Sequence, residues 1–182
     1  MKLMSLEIRQ LRKEDIDKIA SEVTKPAGLY ERYYEERVSG QRVVLVAWEN
    51  NQFAGYLTIE WQSGYPYFRE NNIPEIADLI VLPQHRRQRI ATQLMDEAEK
   101  IISQRSKIAG IGVGLYASYG AAQRMYVLRG YVPDGRGIDY DNVYVKEEEL
   151  VKADDSLTLH FTKELLADQR KTNKHNGSGK RA

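Results

Sequence analysis

The chain contains no cysteine. Disulfide bonds, thiolate metal ligands and a cysteine nucleophile are excluded at the outset. No apolar run approaches the length that spans a bilayer. The first residues, Met1-Lys2-Leu3-Met4-Ser5-Leu6-Glu7, lack the apolar core of a secretory signal. Neither sign of charge is in excess, because 27 Lys and Arg against 26 Asp and Glu give a formal net charge of +1. That balance removes any global attraction to nucleic acid or to an anionic membrane, so an anion site has to be built locally. His85, His160 and His175 are far apart and show no metal-ligand spacing, so no metal is expected. What remains is a globular composition, 42% hydrophobic over 182 residues, enough for one domain with a substantial core. The expected setting is the cytoplasm.

The apolar pattern divides the chain into elements. Residues 6–11 alternate as a strand, and Ile16, Ile19 and Ala20 mark a short helix over 14–21. Residues 28–39, with Tyr30, Tyr33 and Tyr34, read as a second helix near the surface. A strong β run over 42–48 turns at Asn50-Asn51 and returns over 53–61. Glycine, proline and aromatics make 61–72 a loop. Residues 75–82 form a strand that is apolar throughout 79–82, as suits a strand covered on both faces. A helix over 88–103 carries Ile90, Leu94, Ala98, Ile101 and Ile102 on one stripe. A buried strand at 108–113 precedes a helix at 119–129 with Ala122, Met125 and Tyr126 inward and Gly130 as its cap. A strand begins at 131–133, a polar excursion fills 135–154, and 157–162 is the last strand. This order gives an α/β class with a mixed sheet. The domain is expected to span 1–167, and the basic tail 168–182 to be disordered.

The junction Leu79-Ile80-Val81-Leu82-Pro83-Gln84-His85-Arg86-Arg87-Gln88-Arg89-Ile90-Ala91 stands out. An apolar strand stops at proline and passes through a basic loop into a helix. Arg86, Arg87 and Arg89 gather at the positive end of the helix dipole, where cations are disfavoured. Such a conflict marks a functional constraint, and a bound polyanion, held by free backbone N–H groups and guanidinium groups, resolves it. A solvated basic loop is the rival reading. Gly110-Ile111-Gly112-Val113-Gly114 imitates a dinucleotide fingerprint but lacks the third glycine and the helix behind it. Those glycines read instead as letting the strand bulge or splay beside a ligand. Arg12-Lys13 is too short to imply nucleic-acid readout.

Arg86-Arg87-Gln88-Arg89-Ile90-Ala91 resembles the [Q/R]-x-x-G-x-[G/A] turn of the GNAT superfamily of acyl-CoA-dependent N-acyltransferases, matching at Arg86 and Ala91 and departing at Arg89. Tyr126-Val127-Leu128-Arg129-Gly130-Tyr131 matches a second signature, a tyrosine four residues before a glycine-aromatic pair. Tyr119 stands where the family often has asparagine. The resemblance covers residues 6–165 in element order and implies a central mixed, mostly antiparallel twisted sheet flanked by helices.

It also implies a site. Acetyl-CoA would lie along Leu79, Ile80 and Val81, with the N–H of Leu79 or Ile80 facing the thioester carbonyl. Its pyrophosphate would rest on Arg86, Arg87, Gln88, Arg89, Ile90, Ala91 and Thr92. Tyr126 is the candidate general acid for the departing thiolate, against a rival reading in which it packs inward with its hydroxyl bonded elsewhere. Glu75 is the candidate general base. Asp78, on the opposite strand face by alternation, and a water chain are its alternatives. Substrate selection falls to Tyr30, Tyr33 and Tyr34, to 61–72 and to 135–154, whose aromatics (Trp61, Tyr65, Tyr67, Phe68, Tyr140) and carboxylates (Glu60, Glu70, Asp139, Asp141) suit a cationic amine. The implied activity is transfer of an acetyl group from acetyl-CoA to a primary amine by direct attack, without a covalent enzyme intermediate. A small-molecule amine is favoured over a protein one. The alternative is a non-catalytic module that binds acyl-CoA. A homodimer, paired through an edge strand or the C-terminus, would be compatible with either.

Overall fold

The computed structural model describes residues 5–165; the stretch read as a tail, 168–182, lies outside them. The strands are β1 (Leu6–Gln10), β2 (Arg42–Glu49), β3 (Gln52–Glu60), β4 (Glu75–Val81), β5 (Ile108–Gly114), β6 (Val132–Tyr140), β7 (Val143–Tyr144) and β8 (Leu157–Glu164). They form one sheet in the order β1-β2-β3-β4-β5-β8-β6-β7. The helices are α1 (Ile16–Glu22), α2 (Leu29–Val38), α3 (Pro66–Glu70), α4 (Ile90–Ser103) and α5 (Gly120–Leu128). Every neighbouring pair of strands is antiparallel except β4 and β5, which are parallel and joined through α4. A mixed, mostly antiparallel sheet flanked by helices is the expected architecture.

Alternation decides which side chains enter which core. Val43, Leu45, Leu57, Ile59, Ile76, Ile111, Val113 and Phe161 face α4 and α5, packing with Ile90, Leu94, Met95, Ala98, Ile102 and Tyr126. Val44, Val46, Phe53 and Tyr56 face the other way, toward Ile16, Ile19, Tyr30 and Tyr33. In the β2–β3 turn, Asn50 and Asn51 both take left-handed backbone, φ 49° and 64°. Two successive residues of that kind match the twist of the hairpin strands.

Two sequence expectations change and a third is sharpened. The segment 61–72 is not all loop, because Pro66 opens α3 at a first-turn position where its missing N–H is harmless. The excursion 135–154 is partly sheet, since β6 runs to Tyr140 and pairs with β7. A register shift between Pro133 and Ile138, with Gly135 and Gly137 at φ 81° and 83°, breaks the alternation that would have shown it. The second helix lies near the surface as expected, but it is anchored there, with Tyr30 and Tyr33 only 5% and 7% exposed.

The glycines of β5 are also explained differently. The strand pairs with β8 over seven consecutive residues without a bulge. A Cβ on Gly110 would fall 2.3 Å from the Phe68 ring, one on Gly112 3.0 Å from His160 Nε2, and one on Gly114 2.5 Å from Tyr119. The missing side chains make room for three rings on one face of the strand. The strand does splay, but from β4: the two pair only at Glu75↔Gly110 and Ile76↔Ile111.

Candidate active site

Beyond those two pairs a cleft of about 320 Å³ opens between β4 and β5, lined by Ala77, Asp78 and Leu79 on one side and Gly112, Val113 and Gly114 on the other. Tyr119, Ala122 and Tyr126 of α5 and its approach complete it. This is the switch point of the parallel pair, where open α/β sheets commonly bind ligands.

A bulge in β4 aims the groups around the cleft. Tyr56 pairs with Ile80 and Thr58 with Ala77, so three steps on β4 oppose two on β3. Asp78 takes the extra position with φ 51°. Leu79 and Val81 therefore join Ile76 on the α4 face, while Ile80 packs on the α2 face. The bulge also overturns the expected parity of Asp78. It shares the face of Glu75 and accepts bonds from Tyr56 Oη (2.6 Å), Lys25 Nζ (2.7 Å) and Tyr33 Oη (3.1 Å). The Leu82 N–H donates to Ala54 O at 2.9 Å, so by alternation the Ile80 N–H turns to β3 and those of Leu79 and Val81 turn to the cleft. Of the pair Leu79 and Ile80, only Leu79 presents its donor to the cleft.

Tyr126 lies on α5, 6% exposed, and its ring lines the cleft. Its ring packs inward on the core, as the rival reading has it, and its hydroxyl makes no hydrogen bond to another described residue. Burial raises its pKa to about 12, so it is protonated at neutral pH. Tyr119 covers Gly114 and donates to Asp155 Oδ1 at 2.9 Å.

Glu75 does not line the cleft. It sits beyond the closed end, where Ser63 Oγ donates to its Oε2 and His160 Nε2 lies 3.6 Å from its Oε1. The other ring nitrogen, Nδ1, is 2.7 Å from Asp139 Oδ2, and the imidazole stacks on Tyr65 at 3.8 Å. Burial alone would lower the His160 pKa. The hydrogen bonds and charges of Asp139 and Glu75 outweigh it and raise the value to about 9. Ser63 and His160 carry no sequence signal of this role, because 63, 75, 139 and 160 meet only through the strand order.

The basic loop is placed one step earlier than expected. Helix α4 begins at Ile90, not at 88, because Arg87 and Arg89 adopt left-handed backbone at φ 60° and 63° and interrupt the helical path. Arg86, Arg87 and Arg89 are exposed in the approach to the helix rather than in its first turn. Arg86 Nε donates to Val81 O at 3.2 Å. The first turn has no acidic residue and no side-chain cap, so the N–H groups of Ile90, Ala91 and Thr92 are free for an anion. Arg89 holds a conformation that favours glycine, at an ordinary penalty of roughly 1–2 kcal/mol. Replacing Arg89 by glycine should raise stability by about 0.5–1 kcal/mol, part of the relief being offset by the freer unfolded chain. Urea denaturation checks this, and a loss of stability would contradict it.

The expected selectivity residues separate. Tyr30 and Tyr33 are core, and Trp61 packs against the main core beneath the Arg105 guanidinium. Tyr65, Tyr67, Glu70, Asp134, Arg136 and Tyr144 line an open groove of about 770 Å³. Among the described residues no group of three or more His, Asp or Glu could hold a metal ion, and no helix is long and apolar enough to cross a membrane.

The Acetyltransferase (GNAT) family model matches residues 6–131. Solved structures share the fold. Spermidine/spermine N-acetyltransferase SpeG from Vibrio cholerae, crystallised with manganese ions, superposes with TM-score 0.63 at 15% identity, covering 88% of this chain and 92% of that one. An N-acetyltransferase from Staphylococcus aureus Mu50 gives TM-score 0.64 at 19% identity, over 89% and 99% of the two chains. A GNAT-family protein from Desulfovibrio desulfuricans gives TM-score 0.64 at 11% identity, over 89% and 100%. Among curated proteins no match is found. The family match spans well over half of the chain and runs from β1 through both signature segments to Tyr131: the chain belongs to the GNAT acetyltransferase family.

Proposed function

We propose that this protein transfers the acetyl group of acetyl-CoA to a primary amine of a small molecule by direct attack. The observation that carries this reading is the β4–β5 cleft, lined by both Leu79 and Tyr126, with the uncapped start of α4 following β4 in the chain. The residues present suit the coenzyme. Free N–H groups and three arginines offer a polyanion site, and the outward polar edge of β4 at Leu79 and Val81 offers pairing for an extended amide chain. When bound, the coenzyme supplies an activated thioester.

The chain's own groups supply the rest. With the coenzyme bound along β4, the Leu79 N–H would be the donor for the acyl oxygen, such a donor being typically worth about 3 kcal/mol of barrier. Tyr126 Oη would supply the proton for the leaving thiolate. Glu75 accepts the proton of the amine through water, its side chain being 14% exposed and held by Ser63 and His160. Asp78, though it lines the cleft, is committed to three donors. The groove of Tyr65, Tyr67, Tyr144, Glu70 and Asp134 is of a size for a small cationic acceptor.

Arg89 and Tyr119, both departures from the family pattern, favour a second reading in which the domain binds acyl-CoA without turnover. Thiol release measured against a panel of amines separates the two. The coenzyme site itself is tested by thermal unfolding with acetyl-CoA, with CoA and with NAD as control. At a hundred times its dissociation constant a ligand stabilises by about 2.7 kcal/mol, a rise of very roughly 5–10 °C. A rise with the CoA ligands alone is expected. No rise at millimolar concentration would remove coenzyme binding from the proposal.

A further inference from the structure

The loop that carries the three arginines is tied to the sheet by a buried carboxylate as well as by the Arg86 bond to Val81 O. Glu49, the last residue of β2, is 7% exposed, and His85 of the loop is 6% exposed. His85 Nδ1 lies 2.5 Å from Glu49 Oε2, and since a carboxylate only accepts, the ring nitrogen donates. With its amide nitrogen turned toward Glu49, Gln88 donates to both Glu49 oxygens, at 3.1 Å to Oε2, in place of the longer 3.4 Å bond to Gln84 O. Two residues from opposite ends of the 85–88 segment thus close on the same anion. Arg86, Arg87 and Arg89 are exposed, with Arg86 reaching back to the sheet at Val81 O, and two left-handed residues leave the backbone little regular support.

We propose that Glu49 is a positioning residue for the coenzyme: through His85 and Gln88 it holds residues 86–92 in the arrangement that presents their donors to the pyrophosphate. The proposal rests on the reading of the α4 start as the coenzyme site. Glu49 lies inside the loop and its own charge repels a polyanion. Its contribution to binding is therefore geometric, the ordering of the loop before the ligand arrives.

That opposition of charge and geometry makes the test specific. CoA affinity is measured by titration calorimetry on the full chain as wild type, Glu49→Ala and Glu49→Gln. Removing the carboxylate takes away a repulsive charge, so electrostatics alone predicts tighter binding by Glu49→Ala. The clamp predicts at least tenfold weaker binding, because His85 and Gln88 lose their shared acceptor. Glu49→Gln keeps an acceptor oxygen and loses the charge, so it should bind CoA within about threefold of wild type. Equal or tighter binding by Glu49→Ala would overturn the proposal, as would equal weakening by both variants. Should Glu49→Ala fail to fold, Gln88→Ala removes one arm of the clamp and is expected to bind about threefold more weakly; unchanged affinity there would overturn the proposal. Absence of CoA binding by the wild type is a separate outcome, which would remove the coenzyme reading and the clamp with it.

Discussion

Replacing Tyr126 by phenylalanine should lower turnover by about ten- to a hundredfold or more while leaving CoA affinity nearly intact, the range expected when a general acid is lost. The ring is buried against the main core and Tyr131, and phenylalanine preserves that packing. The hydroxyl makes no hydrogen bond among the described residues, so its loss leaves no buried partner unpaired and stability should change little. Tyr126 lines the cleft, and burial raises its pKa to about 12 and keeps it protonated. Thiol release with a responsive amine gives the turnover, and calorimetric titration gives the affinity. Unchanged turnover would remove Tyr126 from the mechanism. A large loss of CoA affinity would make it a binding residue instead.

Stability should fall steeply as pH rises from about 6.5 to 9, and replacing His160 should abolish most of that slope. The imidazolium lies between Asp139 and Glu75, which raise its pKa to about 9 against burial. A folded-state value above the unfolded value of about 6.5 means that the folded chain holds the proton more tightly. The stabilisation is full below pH 6.5, shrinks through the interval and is gone above pH 9. The shift corresponds to roughly 3 kcal/mol, and with the side chain only 4% exposed little of it is lost to solvent screening. Urea denaturation of wild type and His160→Gln at pH 6, 7.5 and 9 checks this. The variant should be less stable at pH 6, with the difference narrowing toward pH 9. Parallel pH curves for the two proteins would contradict a charged His160.

The pattern of residues made much of this legible. Alternation located β1 and β8, apolar β runs and the Asn50-Asn51 turn located β2, β3 and β5, and the apolar stripe from Ile90 to Ile102 located α4. The uniformly apolar stretch 79–82 correctly implied cover on both faces, since Leu79 and Val81 pack on one core and Ile80 and Leu82 on the other. Errors arose where a residue was inserted or a glycine broke the count. The extra residue at Asp78 reversed its facing, the glycine-rich bulge in β6 hid a nine-residue strand, and left-handed Arg87 and Arg89 delayed the start of α4. A bulge is a relation between two strands, and one strand's sequence does not announce it.

The division follows from the range of the forces involved. Local propensity, periodicity and the Arg86–Ala91 and Tyr126–Tyr131 segments determined the element order, the family and the pairing of a basic loop with a helix start, because each depends on neighbours along the chain. Only the tertiary structure decided that β5 lies beside β8, that β4 leaves β5 after two residue pairs, and that Leu79 rather than Ile80 offers its N–H to the cleft. It alone gathered Ser63, Glu75, Asp139 and His160 around one buried charge, and closed His85 and Gln88 on Glu49. Those contacts join residues up to 85 positions apart, Glu75 and His160 being the most distant pair. They form because desolvated charges must find partners wherever the packed sheet brings them together.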